Sequence, residues 1–290
     1  MKTVVIVNPT SGIGRGARIL ARLRPVFAAR GVTDIRMTAQ SGDTQRFAQA
    51  AAEEGVDAII ALGGDGTWSQ TASTLARLRA PTRLALLAAG TGNDFVTTLQ
   101  LPARDAHVTL DLIEAGTTRA IDMGVAGDTY FLNSVGFGID ADVIRRMRRP
   151  QWIPAKALYT LVALRELVRY RGVHVSTDGG PREHLLTLVV ANGRRFGALF
   201  WIAPTASLED GALDLVRVRD AWVGRRISLL LSVMRGTHTR DPLTSTERRA
   251  SYRLSFDEPP WFQADGELVR ATSKDLVVSA IPRAVNLVAG

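Results

Sequence analysis

The chain of 290 residues contains no cysteine. This excludes a disulfide framework, an iron–sulfur cluster, a thiolate nucleophile and any cysteine-based zinc site. The four histidines, His107, His174, His184 and His238, are scattered without metal-ligand spacing. Lysine is nearly absent: only Lys2, Lys156 and Lys274 occur, so 36 − 3 = 33 of the cationic residues are arginine. No run approaches the ~18 apolar residues that a membrane-spanning helix needs. The opening MKTVVIVNPTSG passes into Asn-Pro-Thr-Ser-Gly rather than a small-residue cleavage site, so it reads as a buried first strand and not as a signal peptide. No Gly-x-Ser-x-Gly elbow, zinc-finger spacing, RNA-recognition signature or long basic tail occurs, and no nucleic-acid partner is expected.

Hydrophobic residues at 46% and charged residues at 22% are values of a globular protein. The length predicts two domains of ordinary size. Net charge is 36 − 28 = +8. Arginine pairs bidentately with phosphate, so nucleotides and anionic lipid surfaces are natural partners. A soluble, cytoplasmic protein is expected.

Up to about residue 118, short β-branched runs alternate with helix-like segments, the pattern of a mostly parallel sheet covered by helices. Thr3–Val7, Val32–Met37, Ala58–Leu62 and Leu84–Leu87 read as strands, and Ala17–Ala29 as a helix with Ile19, Leu20, Leu23 and Phe27 on one stripe. Pro25 predicts a kink in that helix. A further helix covers Asp105–Glu114. From Arg119 the texture changes to strand-like runs at Arg119–Val125, Tyr130–Val135, His184–Val190, Leu213–Val218, Ser251–Phe256 and Leu276–Ile281, interrupted by helices at Ala155–Arg169 and Arg225–Met234. The predicted division is 1–118 and 119–282, with 283–290 returning to the first domain.

Three glycine-rich turns follow strands of the first domain: Asn8-Pro9-Thr10-Ser11-Gly12-Ile13-Gly14, Gly63-Gly64-Asp65-Gly66-Thr67 and Gly90-Thr91-Gly92-Asn93-Asp94-Phe95. Glycines clear the way for backbone N–H groups to face an anion at a helix entrance. Asp65 can hold magnesium or a proton, and Thr67 can cap the helix. Ligands of open α/β sheets sit at the carboxyl ends of the strands, so the three turns should share one edge. That placement favours a nucleotide. The first turn is not a Walker A loop, since no Gly-Lys-Ser/Thr follows.

The ordered set of turns resembles the diacylglycerol kinase catalytic superfamily, which includes bacterial diacylglycerol kinase-like and sphingosine kinase-like lipid kinases. Asn133…Gly136-Phe137-Gly138-Ile139-Asp140-Ala141, Ala203-Pro204…Asp210-Gly211 and Asp265-Gly266-Glu267 resemble that family's later blocks. The resemblance implies a three-layer α/β nucleotide-binding domain of the NAD kinase/diacylglycerol kinase type, followed by a β-sandwich-like lipid-substrate domain. It implies ATP at Asn8, Pro9, Ser11, Gly12, Thr38, Gly63, Gly64, Asp65, Gly66, Thr67, Ser69 and Thr91. It implies structural Mg²⁺ at Asp210 with the carbonyls of Ser207 and Ala212. The candidate base falls on Asp265 with Glu267 beside it; Asp122 aligns with a family carboxylate that orders water and metal near the phosphates, and Asp65 joins these as a catalytic carboxylate. The implied reaction moves the γ-phosphoryl group of ATP to a hydroxyl of diacylglycerol or a related lipid, with peripheral contact to an anionic membrane and room for a homodimer.

The chain departs from the family where Trp68-Ser69-Gln70 replaces an apolar residue followed by Asn-Glu, which removes one acidic group. Arg145-Arg146-Met147-Arg148-Arg149-Pro150-Gln151-Trp152 offers an arginine–tryptophan patch for an anionic surface, or the cationic end of a solvated helix. Two other readings share the core: an NAD kinase-like phosphotransferase, and a nucleotide- or lipid-binding regulator that has lost activity.

Overall fold

The computed structural model describes residues 1–90, 94–99, 103, 105–146, 155–196 and 199–289. Residues 1–123 with 281–290 form one compact unit, and 124–280 form another.

The first unit begins with β1 (Thr3–Val7), every residue of which is buried. Such a continuous β-branched run suits a strand covered on both faces. Then follow α1 (Ser11–Ala29), β2 (Asp34–Met37), α2 (Asp43–Glu53), β3 (Ala58–Gly63), α3 (Asp65–Leu78), β4 (Arg83–Ala88), α4 (Asp94–Leu99), α5 (Ala106–Ala115) and β5 (Thr118–Ala126). β4, β3, β1 and β2 lie side by side, all parallel. Leu20 and Phe27 of α1 and Leu110 and Ile113 of α5 bury against Val5, Val7, Ile60, Leu62 and Leu87. α5 is stopped and started by its own chemistry. Asp105 caps it by accepting the N–H groups of His107 at 2.9 Å and Val108 at 3.2 Å, and Gly116 ends it at φ +71°. α1 runs with helical angles through Pro25; its only departures are at Gly12, Ile13 and Gly14. Pro25 does not interrupt the helical angles, and the carbonyl of Ala21, which loses its donor there, belongs to an exposed residue.

The second unit is built on antiparallel strands. In chain order they are β6 (Thr129–Phe131), β7 (Ser134–Gly138), β8 (Val173–Thr177), β9 (Arg182–Ala191), β10 (Leu213–Arg219), β11 (Thr244–Arg249), β12 (Ser251–Phe256), β13 (Trp261–Ala264), β14 (Glu267–Arg270) and β15 (Asp275–Val288). The helices are α6 (Ile139–Arg146), α7 (Ala155–Arg169) and α8 (Val223–Arg235), with a short 3-10 turn at His238–Arg240. β9 is central, pairing with β7, β8 and β10. Leu185, Leu188 and Val190 face a core shared with Phe137, Tyr252, Leu254 and Phe262, while Leu186, Val189 and Ala191 face Ile202, Val216 and Leu229. The last residues of β15, from Ile281 on, belong to the first unit, where Leu287 lies opposite Leu84 of β4. Among the described residues no helix is long and apolar enough to cross a membrane.

The run Tyr130–Val135, expected as one strand, is two strands. The backbone N–H groups between them are taken by a carboxylate described below.

Candidate functional site

The first two glycine turns and Gly90, the described start of the third, meet at the carboxyl ends of β1, β3 and β4. Asn8 N–H donates to the Leu62 carbonyl at 3.0 Å, and Ala89 and Gly90 donate to the Gly63 carbonyl at 2.6 and 3.1 Å. Asn8 also folds its own turn, its Oδ1 accepting Thr10 N–H at 3.1 Å and the Thr10 hydroxyl at 2.8 Å. Its Nδ2 reaches Thr67 Oγ1 at 3.5 Å. Thr38 stands at the same edge, its N–H donating to Val7 at 2.9 Å.

The packing leaves no room for a side chain at Gly12 and is tight at Gly64. A Cβ on Gly12 would lie 2.2 Å from the Ala89 carbonyl oxygen; one on Gly64 would lie 3.0 Å from Gly90 Cα and 3.5 Å from Ser11 Oγ. α3 starts at Asp65 without a side-chain cap, whereas the segment Gly12–Gly14 that opens α1 is left-handed and Ser11 N–H is taken by the Asn8 carbonyl at 3.2 Å. A helix start like that of α3 leaves N–H groups and the positive end of the dipole for an anion. Ile13, at the apex of the first turn, is 95% exposed and holds φ +60°, a rare conformation for a β-branched residue. Nothing in the sequence marked that strain except its two glycine neighbours.

Two carboxylates of this unit are tied to backbone. Asp65 Oδ1 accepts the Phe95 N–H at 3.3 Å, bringing the start of α4 to the Gly63–Thr67 turn. Asp122 is 1% exposed and accepts the N–H of Arg283 at 2.8 Å, where Arg283 takes a left-handed φ of +52°. Trp68 is fully buried and donates its indole N–H to Ala61 at 3.1 Å, while Thr67 and Ser69 are buried beside it. The departure at Trp68 therefore serves the packing of α3 on β3. Thr91 lies outside the described residues.

In the second unit, Asp265 and Gly266 form the turn between β13 and β14, with φ +48° and +87°. The Asp265 carboxylate is a clamp. Its Oδ2 accepts Leu132 N–H at 2.7 Å, and its Oδ1 accepts Asn133 N–H at 2.8 Å and Ser134 N–H at 3.0 Å. Asp265 N–H returns a bond to the Ser134 carbonyl at 3.0 Å. The Leu132 and Asn133 carbonyls accept Asn192 Nδ2–H and N–H at 2.7 and 2.8 Å. Glu267, next along, is exposed at the start of β14. Gln263 steadies the turn from below by accepting the Gly266 N–H at 2.9 Å. Sequence reasoning passed over Gln263, although a lone amide between Phe262 and Ala264 in a buried strand is a signal.

The loop 207–212 bends through Gly211 at φ +69°. Asp210 Oδ1 accepts Ala212 N–H at 3.1 Å and Ser207 Oγ accepts Glu209 N–H at 3.3 Å. Arg248, which nothing in the sequence singled out, reaches Asp214 Oδ1 at 3.0 Å, the Thr205 carbonyl at 2.7 Å and Asp210 Oδ2 at 3.5 Å. Burial pushes the Asp214 carboxyl up; Arg248 opposes this, and the Asp210 charge adds to it. Of the arginine–tryptophan stretch only Arg145 and Arg146 are described, and both pair with Asp142. The remainder, 147–152, lies outside the described residues.

The model of the diacylglycerol kinase catalytic domain matches residues 2–126, and that of the YegS C-terminal NAD kinase beta sandwich-like domain matches 133–289. A protein of Chromohalobacter salexigens named a probable YegS-like lipid kinase is 32% identical over 80% of this chain and 73% of its own length. The chain belongs to the diacylglycerol kinase–YegS family. The diacylglycerol kinase of Bacillus subtilis is 29% identical over 91% of the chain and 88% of its own length. That of Mycobacterium tuberculosis is 28% identical over 99% and 94%. A crystal structure from Bacillus anthracis described as a putative diacylglycerol kinase shares the family fold, at TM-score 0.79 and 24% identity over 100% of this chain and 95% of that one. The α/β unit followed by a β-sandwich unit is the family's architecture.

Proposed function

We propose that this family member is an ATP-dependent lipid kinase, which moves the γ-phosphoryl group to a hydroxyl of diacylglycerol or a related lipid. One observation carries the reading: Gly64, Gly90 and Ser11 abut at the uncapped start of α3, a cradle into which a side chain at Gly64 would intrude. That cradle fits a polyphosphate, whose oxygens can approach the backbone where no Cβ stands. Asn8, Pro9, Ser11, Gly12, Thr38, Gly63 to Thr67 and Ser69 are the residues proposed for ATP. Asp65 and Asp122 hold the backbone around them.

Phosphoryl transfer asks the protein for charge compensation, alignment and a proton acceptor. The sequence reading placed the acceptor at Asp265. Its clamp on Leu132, Asn133 and Ser134 favours a different division of labour, in which Asp265 shapes the turn and exposed Glu267 takes the proton of the acceptor hydroxyl. The loop 207–212 fits a hard cation. Asp210, an exposed carboxylate beside a second one at Asp214, closes the loop by accepting the Ala212 N–H at 3.1 Å. Asp210 with the carbonyls of Ser207 and Ala212 would hold Mg²⁺, and the bound ion would supply rigidity to that loop. Peripheral contact with an anionic membrane belongs to the proposal, since the acceptor's tails stay in a bilayer; so do a cytoplasmic location and a homodimer.

The test is γ-labelled ATP offered with diacylglycerol, sphingoid base, phosphatidylglycerol and NAD, each with and without Mg²⁺. Label in a phosphorylated lipid supports the reading. Label solely in NADP, or in inorganic phosphate alone, overturns it.

A further inference from the structure

The pairing of β7 with β13 sets Gln263 opposite Gly136. The space that a side chain at Gly136 would need is taken by two polar atoms. A Cβ there would lie 1.7 Å from Oδ2 of Asp140 and 3.0 Å from Nε2 of Gln263. Asp140, in the first turn of α6, is 8% exposed, and Gln263 is 1% exposed. Thr187 donates its hydroxyl to Asp140 Oδ1 at 3.1 Å. Asp140 Oδ2 and Gln263 Nε2, a buried acceptor and a buried donor against the same glycine, each lack a well-formed hydrogen bond among the described residues. A buried polar atom left unpaired is costly, and the Gln263 amide is the hydrogen-bonding side chain within reach of Asp140 on this face.

The other end of that amide is already engaged, since Gln263 Oε1 accepts the Gly266 N–H at 2.9 Å. A planar amide cannot turn one end without the other. Whatever holds Nε2 toward Asp140 aims Oε1 at the turn that carries Asp265 and Glu267.

We propose that Asp140 is a positioning residue: it fixes the Gln263 amide and, through it, the Asp265–Glu267 turn. The proposal rests on the reading of that turn as part of a kinase site. As an anion Asp140 can only accept, and it orients the amide N–H toward itself. Protonated, it offers an O–H in place of an acceptor, the amide is no longer oriented, and Gly266 loses its partner. Burial pushes the Asp140 carboxyl up to about 6, opposed by the Thr187 hydroxyl, backbone N–H groups and the Gln263 amide. Tyr170 feels the charge of Asp140, and the same hydroxyl feels Asp142, Arg145 and Asp220. Asp142 is held by Arg145 and Arg146, and burial pushes the Tyr170 hydroxyl up.

The experiment follows the Gln263 side-chain amide and the Gly266 backbone amide by NMR between pH 5 and 8, in the full chain and in Asp140→Asn. Asparagine keeps an acceptor oxygen and cannot titrate. Both signals should move together with a midpoint near 6 in the parent and stay flat in the variant. Phosphoryl transfer to diacylglycerol at pH 7.5 is read in parallel. Asp140→Ala should lower kcat by about 10-fold or more with the KM for ATP within about 2-fold, and Asp140→Asn should restore most of it. A Gly266 amide indifferent to pH in the parent overturns the proposal, as does an unchanged kcat in folded Asp140→Ala. If the parent transfers no phosphoryl group to any lipid, the kinase reading fails, and the two amide signals alone decide the positioning role.

Discussion

Asp265 accepts the backbone N–H of Leu132 at 2.7 Å, joining residues 133 positions apart in the chain. With the bonds to Asn133 and Ser134, one carboxylate provides partners for three consecutive N–H groups that a strand would otherwise have paired in its ladder. The turn between β6 and β7 and the turn between β13 and β14 are thus one object. Replacing Asp265 affects both.

Asp265→Ala leaves three N–H groups without their acceptor in a half-buried place. The loss should be about 2–4 kcal/mol of stability, read by chemical denaturation, because hydrogen bonds to charged groups are the stronger kind. Glu267→Gln, at an exposed position, should change stability by no more than about 0.5 kcal/mol while lowering phosphoryl transfer by about 100-fold or more. Normal turnover in Glu267→Gln would return the base to another group.

How much of this was legible in the sequence depended on range. β1 and β3 could be read directly, because their apolar runs are long and their turns are glycine-rich. The meeting of the turns followed from the rule that parallel strands carry their sites at one edge, and the structure brings Gly64 to Gly90 and Ser11. What could not be read was set by distant partners. Tyr130–Val135 has the composition of one strand, and only Asp265, far along the chain, breaks it. Asp140 looked like one letter of a motif; its burial against Gly136 and Gln263 needs the pairing of β7 with β13. Arg248 carries no local signal, since an arginine near the end of a polar edge strand is ordinary.

Arg248 reaches Asp210 and Asp214 together, so it offsets the charge that a cation in the 207–212 loop would also offset. Arg248→Ala should make thermal stability depend on divalent cation. The melting temperature should fall in chelator and recover with Mg²⁺ by several degrees, against a difference within about 2 °C in the parent. Equal melting of the variant with and without Mg²⁺ would mean that the loop holds no cation.

Asp140 gives a pH dependence of stability whose sign can be worked out. Its folded carboxyl titrates near 6, above the ordinary 3.8. Below about 3.8 both folded and unfolded chains hold the proton and no penalty exists. As pH rises through 6, the unfolded chain has released its proton while the folded one gives it up late, so stability falls by an amount on the order of 3 kcal/mol. Asp140→Asn removes this loss. In urea titrations the variant should gain on the parent between pH 5 and 7.5; a gap that narrows over that range would contradict the assignment.

The glycine cradle is the centre of the account, and Gly64 tests it most directly. Gly64 has φ −118°, a conformation that any residue adopts, so Gly64→Val crowds the space before Gly90 and Ser11 without straining the backbone. The measurement is calorimetric titration of ATP into the parent chain and into Gly64→Val, alongside their melting curves. The predicted result is one ATP per parent chain and an affinity lower by about 30-fold or more in the variant, equivalent to about 2 kcal/mol, with melting curves that show both chains folded at the titration temperature. Equal affinities for ATP in the two proteins would contradict it.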